Sequence, residues 1–90
     1  MAVYVDELRV WGRRPVATSH LTADTVEELH AFARCQRFPG RCWHRGSRTP
    51  HYDIDAQLRQ RALASGAVFV PARQQARARL ARRRARAVQE

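Results

Sequence analysis

The segment from residue 19 to residue 33 constrains the fold most, because it joins a strand end, a helix cap and an amphipathic helix. It reads Ser-His-Leu-Thr-Ala-Asp-Thr-Val-Glu-Glu-Leu-His-Ala-Phe-Ala. Asp24 or Thr25 can accept hydrogen bonds from the first free N–H groups of a helix, and Glu28 follows Thr25 at the capping-box spacing. The apolar residues at helical spacing are Val26, Leu29, Phe32 and Ala33. The pattern predicts a helix over about residues 25–36 that is entered from a strand.

The flanking patterns predict the other elements. Two short strands are expected at about residues 2–6 and 16–21, with a Gly/Pro turn at 12–15 between them. A long loop at 37–50 precedes a second helix, capped by Asp53 or Asp55, and a short apolar strand at 67–70 that we expect in the centre of the sheet. The order β-β-α-loop-α-β predicts a single α+β domain over residues 1–71. Its small sheet has about three short strands, with two helices packed on one face.

The C-terminal segment, residues 72–90, is rich in Arg and Ala and is predicted to be a helical or partly disordered basic tail. The chain has 17 basic residues, all Arg, and a net charge of +9. Residues 74–90 carry six Arg and one acid, which gives +5, and residues 1–73 carry eleven Arg and seven acids, which gives +4. The tail residues with candidate nucleic-acid contacts are Arg77, Arg82, Arg83 and Arg84. The alternative is a solvated extension without a ligand.

Other features limit the location and the cysteine chemistry. No run of about eighteen apolar residues is present, so no membrane-spanning helix is expected. Asp6 and Glu7 interrupt the region where a signal peptide would be apolar, so we expect a cytoplasmic protein with reduced cysteines. A zinc site that combines Cys35 and Cys42 with nearby histidines is disfavoured, because structural zinc sites usually hold their cysteines two to four residues apart.

Histidines and aspartates supply the candidate site. The candidate catalytic residues are His20, Asp24, His51 and Asp53, with Asp6 and His30 in support. In an extended segment His51 and Asp53 share one face and Tyr52 lies on the other. If this segment meets His20 at one end of the sheet, the group can perform acid–base chemistry. It can also bind a divalent metal through His20, His51 and Asp53, and no other cofactor is indicated. The alternative is that the aspartates cap helices and the histidines bond to the backbone.

The long loop carries a second candidate ligand-binding group. Arg41 and Arg45 flank Trp43, and arginine pairs with phosphate while aromatic rings stack on bases. This arrangement suits a nucleotide or a single strand. The alternative is a solvated loop that is anchored to the core by its aromatic residue.

The order of these motifs resembles that of a family of short bacterial and phage proteins, domain of unknown function 4031. The matching segments are 3–6, 19–24, 28–33, Trp43, 51–53, and Ala62 with 66–68, so the resemblance covers about residues 2–70. It implies that Asp6, His20, Asp24, His30, Trp43, His51 and Asp53 belong to a common pattern, and it implies no reaction. His44 and Arg45 depart from the pattern, in which an aromatic residue and Gln tend to follow the tryptophan, and the tail lies outside it.

Together these features predict a basic protein that binds or acts on a phosphate-bearing ligand, a nucleotide or nucleic acid, through its His/Asp site. The alternative is a non-enzymatic nucleic-acid-binding or assembly accessory protein that uses its tail. No Gly-rich phosphate loop and no nucleophile elbow is present, so no particular reaction is indicated. A shared site requires the side chains of His20 and His51 to lie within about 10 Å of each other, because hydrogen bonds and metal bonds are short.

Overall fold

A five-stranded sheet lies at the centre of the structure, a computed structural model that describes residues 2–13, 15–45 and 49–89. The elements are β1 (Val3–Val5), β2 (Ser19–Ala23), α1 (Val26–Cys35), a 3-10 turn (Gly40–Cys42), β3 (Trp43–His44), β4 (His51–Ile54), α2 (Ala56–Ala64), β5 (Val68–Phe69) and α3 (Ala72–Gln89). The described residues leave out Arg14 of the predicted turn, residues 46–48 of the predicted loop, and Glu90 of the tail. The α+β class is confirmed.

The strand order is β3-β4-β2-β1-β5, with antiparallel neighbours except for the parallel pair β1 and β5. The prediction of about three strands was therefore too low. The predicted loop contributes β3, and the His-Tyr-Asp segment is itself a strand that pairs on both sides. The apolar strand β5 lies at an edge of the sheet, where Val68 and Phe69 are exposed. A fully apolar sequence indicated a central strand, but here it lies at the sheet margin.

One face of the sheet forms the core. Alternate residues of the three central strands point to this face, and Val5, Leu21 and Ile54 are fully buried there. Helix α1 contributes Leu29 and Ala33 to the same core, and α2 contributes Ala62. The prediction of two helices packed on one face is confirmed. The other face is left to the intervening residues of each strand, and these are polar.

The helices begin at the capping residues that the sequence offered, and where it offered two candidates the structure uses Thr25 and Asp55. Thr25 accepts a hydrogen bond from the Glu28 amide at 3.1 Å and caps α1. Asp55 caps α2 by accepting from the Leu58 amide at 2.9 Å, whereas Asp53 lies inside β4, which continues to Ile54. Gly66 follows α2 with φ +106, a conformation that favours glycine.

Helix α3 lies across the polar face and is anchored at its first turns. The Glu7 carboxylate accepts a hydrogen bond from the Ala72 amide at 2.9 Å. Gln75 joins the helix to the sheet, since its side chain accepts from the Thr22 hydroxyl at 3.0 Å and donates to the Val70 carbonyl at 2.8 Å. Residues 80–88 are all exposed. None of the helices in the described part of the chain has the length and apolar content needed to cross a bilayer.

Candidate functional site

Two histidines and an aspartate meet on the polar face of the sheet, and we call His20, His51 and Asp53 the His/Asp cluster. The register of β2 and β4 sets His20 directly opposite Asp53, and His51 is two residues from Asp53 on the same face. The rings of His20 and His51 are 4.8 Å apart between centroids. Asp53 Oδ1 is 3.8 Å from His20 Nε2 and 3.3 Å from His51 Nε2. The predicted meeting of the two segments is therefore present.

Asp6, which immediately follows β1, supports His20 from behind. It is buried, and its carboxylate accepts hydrogen bonds from His20 Nδ1 at 2.6 Å, the His20 amide at 2.7 Å and the Ser19 hydroxyl at 3.1 Å. Burial alone raises the pKa of Asp6, but the hydrogen bonds from His20 and Ser19 outweigh it and hold the pKa below its usual range. Asp6 is therefore an ionised acceptor, and His20 carries its proton on Nδ1.

A backbone carbonyl orients the second imidazole in the same way. His51 Nδ1 lies 2.9 Å from the Thr49 carbonyl oxygen, which can only accept. The His51 proton is therefore on Nδ1, and Nε2 points toward Asp53. Both histidines thus present Nε2 to the same space, each held by an acceptor at its other nitrogen. The alternation of β4 turns Tyr52 to the core, as predicted.

Two of the predicted site residues lie elsewhere. Asp24 follows the end of β2 and accepts a hydrogen bond from the Tyr4 hydroxyl at 2.8 Å, which raises the pKa of Tyr4. His30 belongs to α1, on the core face, where its Nδ1 is 2.7 Å from the Tyr52 hydroxyl. Since α1 and the His/Asp cluster lie on opposite faces of the sheet, His30 does not join the cluster.

The three residues of the second candidate ligand-binding group, in the predicted long loop, do not share one environment. Trp43 packs on the core side, with its ring 4.4 Å from that of His30 and 5.2 Å from that of Tyr52. Arg41 and Arg45 are exposed. Trp43 is therefore anchored to the core, and a ligand contact that combines it with the two exposed arginines stays a prediction.

A cleft opens above the His/Asp cluster, with a volume of about 390 Å³. Its floor includes Asp6, His20 and His51, and its wall on the α3 side includes Gln75 and Arg79. Trp11 closes one end, where its ring is 4.5 Å from that of His20 and its indole N–H donates to the Thr18 carbonyl at 2.7 Å. The indole is therefore fixed against the site. Asp6 and His20 were among the predicted site residues, whereas Trp11 and Arg79 were not, because their positions in the cleft depend on tertiary packing.

The cleft continues into a groove between α3 and the sheet, which we call the basic groove. The two cavities share Thr22, Thr49, Gln75 and Arg79. The α3 side of the groove carries Arg79, Arg82, Arg83 and Arg86, and the sheet side carries Tyr4 and Asp24. Of the four tail residues singled out in the sequence, Arg82 and Arg83 line this groove. Arg77 and Arg84 are exposed and do not line it.

The described residues contain one group of three or more potential metal ligands, and it is His20, His51 and Asp53. One ligand atom from each lies within 4.8 Å of the others. The disfavoured zinc site that would combine Cys35 and Cys42 with nearby histidines is not formed among the described residues. Both thiols are free, and burial raises the pKa of Cys42.

Comparison with known proteins gives one match. The family described as Protein of unknown function (DUF4031) matches residues 3–84, which is most of the chain and includes the His/Asp cluster and much of α3. No curated protein and no solved structure matches.

Proposed function

Because the chain belongs to the DUF4031 family, whose description names no activity, we propose a function from the geometry of the site. The protein binds a phosphate-bearing ligand, a nucleic-acid strand, along the basic groove, and it holds one phosphate of that strand in the cleft above the His/Asp cluster. The observation that carries this proposal is that Arg79 and three neighbouring residues line both cavities. A ligand along α3 therefore leads directly to the imidazoles.

The charge of the groove suits a polyanion. Its four arginines occur at positions i, i+3, i+4 and i+7 of α3, which places them along one side of the helix. From Arg79 to Arg86 the stripe extends about 10 Å, at about 1.5 Å per residue. Measured along the axis of a duplex, one strand carries about three phosphates over that length, at about 3.4 Å of axis per phosphate. Arginine can bind phosphate through two N–H groups at once. Among the residues that the structure describes, Asp24 is the single carboxylate that lines the groove.

The test compares two pairs of substitutions on the same helix. Arg79→Gln with Arg86→Gln changes the groove, and Arg77→Gln with Arg84→Gln removes equal charge at equal spacing outside it. Glutamine has nearly the helix propensity of arginine, so α3 is retained. Binding of a labelled mixed-sequence oligonucleotide is measured by fluorescence anisotropy between about 50 and 200 mM salt.

The groove pair is expected to weaken binding and to lower the log–log salt slope by about 1.4 for single strands or about 1.8 for duplex, since each lost phosphate contact contributes about 0.7 or 0.9. The control pair is expected to leave the slope nearly unchanged. An equal loss in both pairs would overturn the groove proposal. It would favour the alternative of an accessory protein whose whole helix binds polyanions, which the exposure of Arg77 and Arg84 makes a specific second candidate. A wild-type protein without salt-dependent binding would contradict both.

A further inference from the structure

The His/Asp cluster has the geometry of a metal site with its ligands already oriented. Metal-binding histidines usually donate their second ring N–H to a carboxylate or a backbone carbonyl, which fixes the tautomer and directs the free nitrogen at the metal. His20 donates to the Asp6 carboxylate, and His51 donates to the Thr49 carbonyl. One histidine is therefore held by a carboxylate and the other by a backbone carbonyl, as metal-binding histidines usually are.

The distances among the ligand atoms also fit. Ligands at about 2.0–2.1 Å from a tetrahedral ion lie about 3.3–3.4 Å from one another. Asp53 Oδ1 is 3.3 Å from His51 Nε2 and 3.8 Å from His20 Nε2. Within the group, no pair of ligand atoms is more than 4.8 Å apart. Closing the set around an ion requires the widest pair to approach by up to about 1.4 Å, from 4.8 Å to about 3.4 Å.

The charges favour a cation as well. The site brings two carboxylates, those of Asp6 and Asp53, beside the two imidazole rings. A divalent ion among the three ligand atoms attracts a phosphate in the cleft. The ion and Arg79, which lines the same cleft, therefore act on the same anion.

We infer that His20, His51 and Asp53 bind one divalent transition-metal ion, best suited to Zn²⁺, with at least one coordination position open toward the cleft. Two imidazoles and one carboxylate form the protein ligand set of catalytic zinc sites that keep a position for water or substrate, and imidazole ligands suit transition metals better than Mg²⁺ or Ca²⁺. A phosphate oxygen of the strand fills the open position. That last assignment rests on the proposed function, whereas metal binding itself does not.

The experiment uses full-length, tag-free protein that is first dialysed against a chelator. Zn²⁺ binding is measured by calorimetry, and Co²⁺ binding by visible absorption, which reports the coordination geometry. We expect one ion per chain. His51→Gln and Asp53→Asn are each expected to weaken binding at least about a hundred-fold, since even changes in outer-shell partners cost about ten- to a hundred-fold. Thermal melts of the metal-free variants show whether each variant is folded.

His44→Gln is the matched control, because His44 is an exposed imidazole whose ring stacks at 5.0 Å on that of His51 without belonging to the cluster. Its metal affinity is expected to stay within a few-fold of wild type. Failure of the wild-type protein to bind one equivalent of metal would overturn the inference. Equal losses in His44→Gln and Asp53→Asn would overturn it too. The oligonucleotide assay, run in chelator, is independent, so failure of the metal site and failure of the groove are distinguishable.

Discussion

Substitution of Asp6 by Asn tests how the buried carboxylate controls His20. Asp6 Oδ1 accepts from the His20 amide and the Ser19 hydroxyl, and Oδ2 faces His20 Nδ1. An asparagine that keeps its oxygen on the first two donors places its NH₂ group against His20 Nδ1. That nitrogen must then become an acceptor, and the ring proton moves to Nε2. The proton then points toward Asp53 and occupies the place of the metal ion at His20 Nε2.

The expected loss of metal affinity follows from the position of Asp6, which contacts a metal ligand and not the metal. Changes of this kind reduce metal affinity about ten- to a hundred-fold, or about 1.4–2.7 kcal/mol at 1.36 kcal/mol per tenfold. The free energy of unfolding is expected to fall as well, by about 1–3 kcal/mol, because a buried charge-assisted hydrogen bond is replaced by a neutral one. Calorimetry measures the metal affinity, urea unfolding the stability, and nitrogen-15 NMR of the imidazoles the tautomer.

Asp24→Asn is the matched control, since Asp24 is exposed and accepts a hydrogen bond from Tyr4 on the rim of the groove, away from His20. It should leave the His20 tautomer and the metal affinity unchanged. An Asp6→Asn protein that keeps its His20 proton on Nδ1, with full metal affinity, would refute the positioning role of Asp6. Loss of metal binding in both variants would refute it as well, because the effect would not then depend on the contact with His20.

Two further predictions concern the scaffold. Leu21→Ala, in the fully buried centre of the sheet, is expected to lower the free energy of unfolding by about 3–5 kcal/mol through the cavity it leaves, whereas the exposed Leu80→Ala should change it by less than about 0.5 kcal/mol in the same urea titration. Acidification is expected to fray the start of α3, because the hydrogen bond from the Ala72 amide holds the pKa of Glu7 below its usual range. This contribution is complete above the ordinary glutamate pKa of about 4.3 and is lost as the pH falls through the lower folded value. Hydrogen exchange at the α3 amides should follow this loss in wild type and be insensitive to pH in Glu7→Gln, after correction for the intrinsic exchange rate.

Structural features that depend only on residues close together in the sequence were predicted from local patterns. Thr25 and the apolar stripe of α1 determine that helix by spacing alone, and alternation along β4 separated His51 and Asp53 from Tyr52. The approach of His20 to Asp53 was a condition of the candidate site, and it is met because both residues lie on strands that pair in one sheet.

Other placements depend on contacts that no local pattern records. His30 lies near the cluster in sequence order but on the wrong side of the sheet, because a helix packed on the core face carries it there. The position of α3 rests on the hydrogen bonds of Gln75 and on the Glu7 cap. These decide which arginines line the groove, so Arg79 could not be distinguished from Arg77 in the sequence.

The parallel pairing of β1 with β5 sets the order in which the sheet is completed. Tyr4 of β1 pairs with Val68 of β5, which is synthesised about sixty residues later. At about 5–20 residues per second, this edge of β1 stays unpaired for about 3–12 s during synthesis. Meanwhile β1, β2 and β4 can pair antiparallel, but the second edge of β1 keeps its backbone groups open to other chains. β5, the last strand to be synthesised, therefore covers the open edge of β1, the first. A chain that ends before residue 68 keeps the strands of the site but exposes an edge suited to intermolecular pairing.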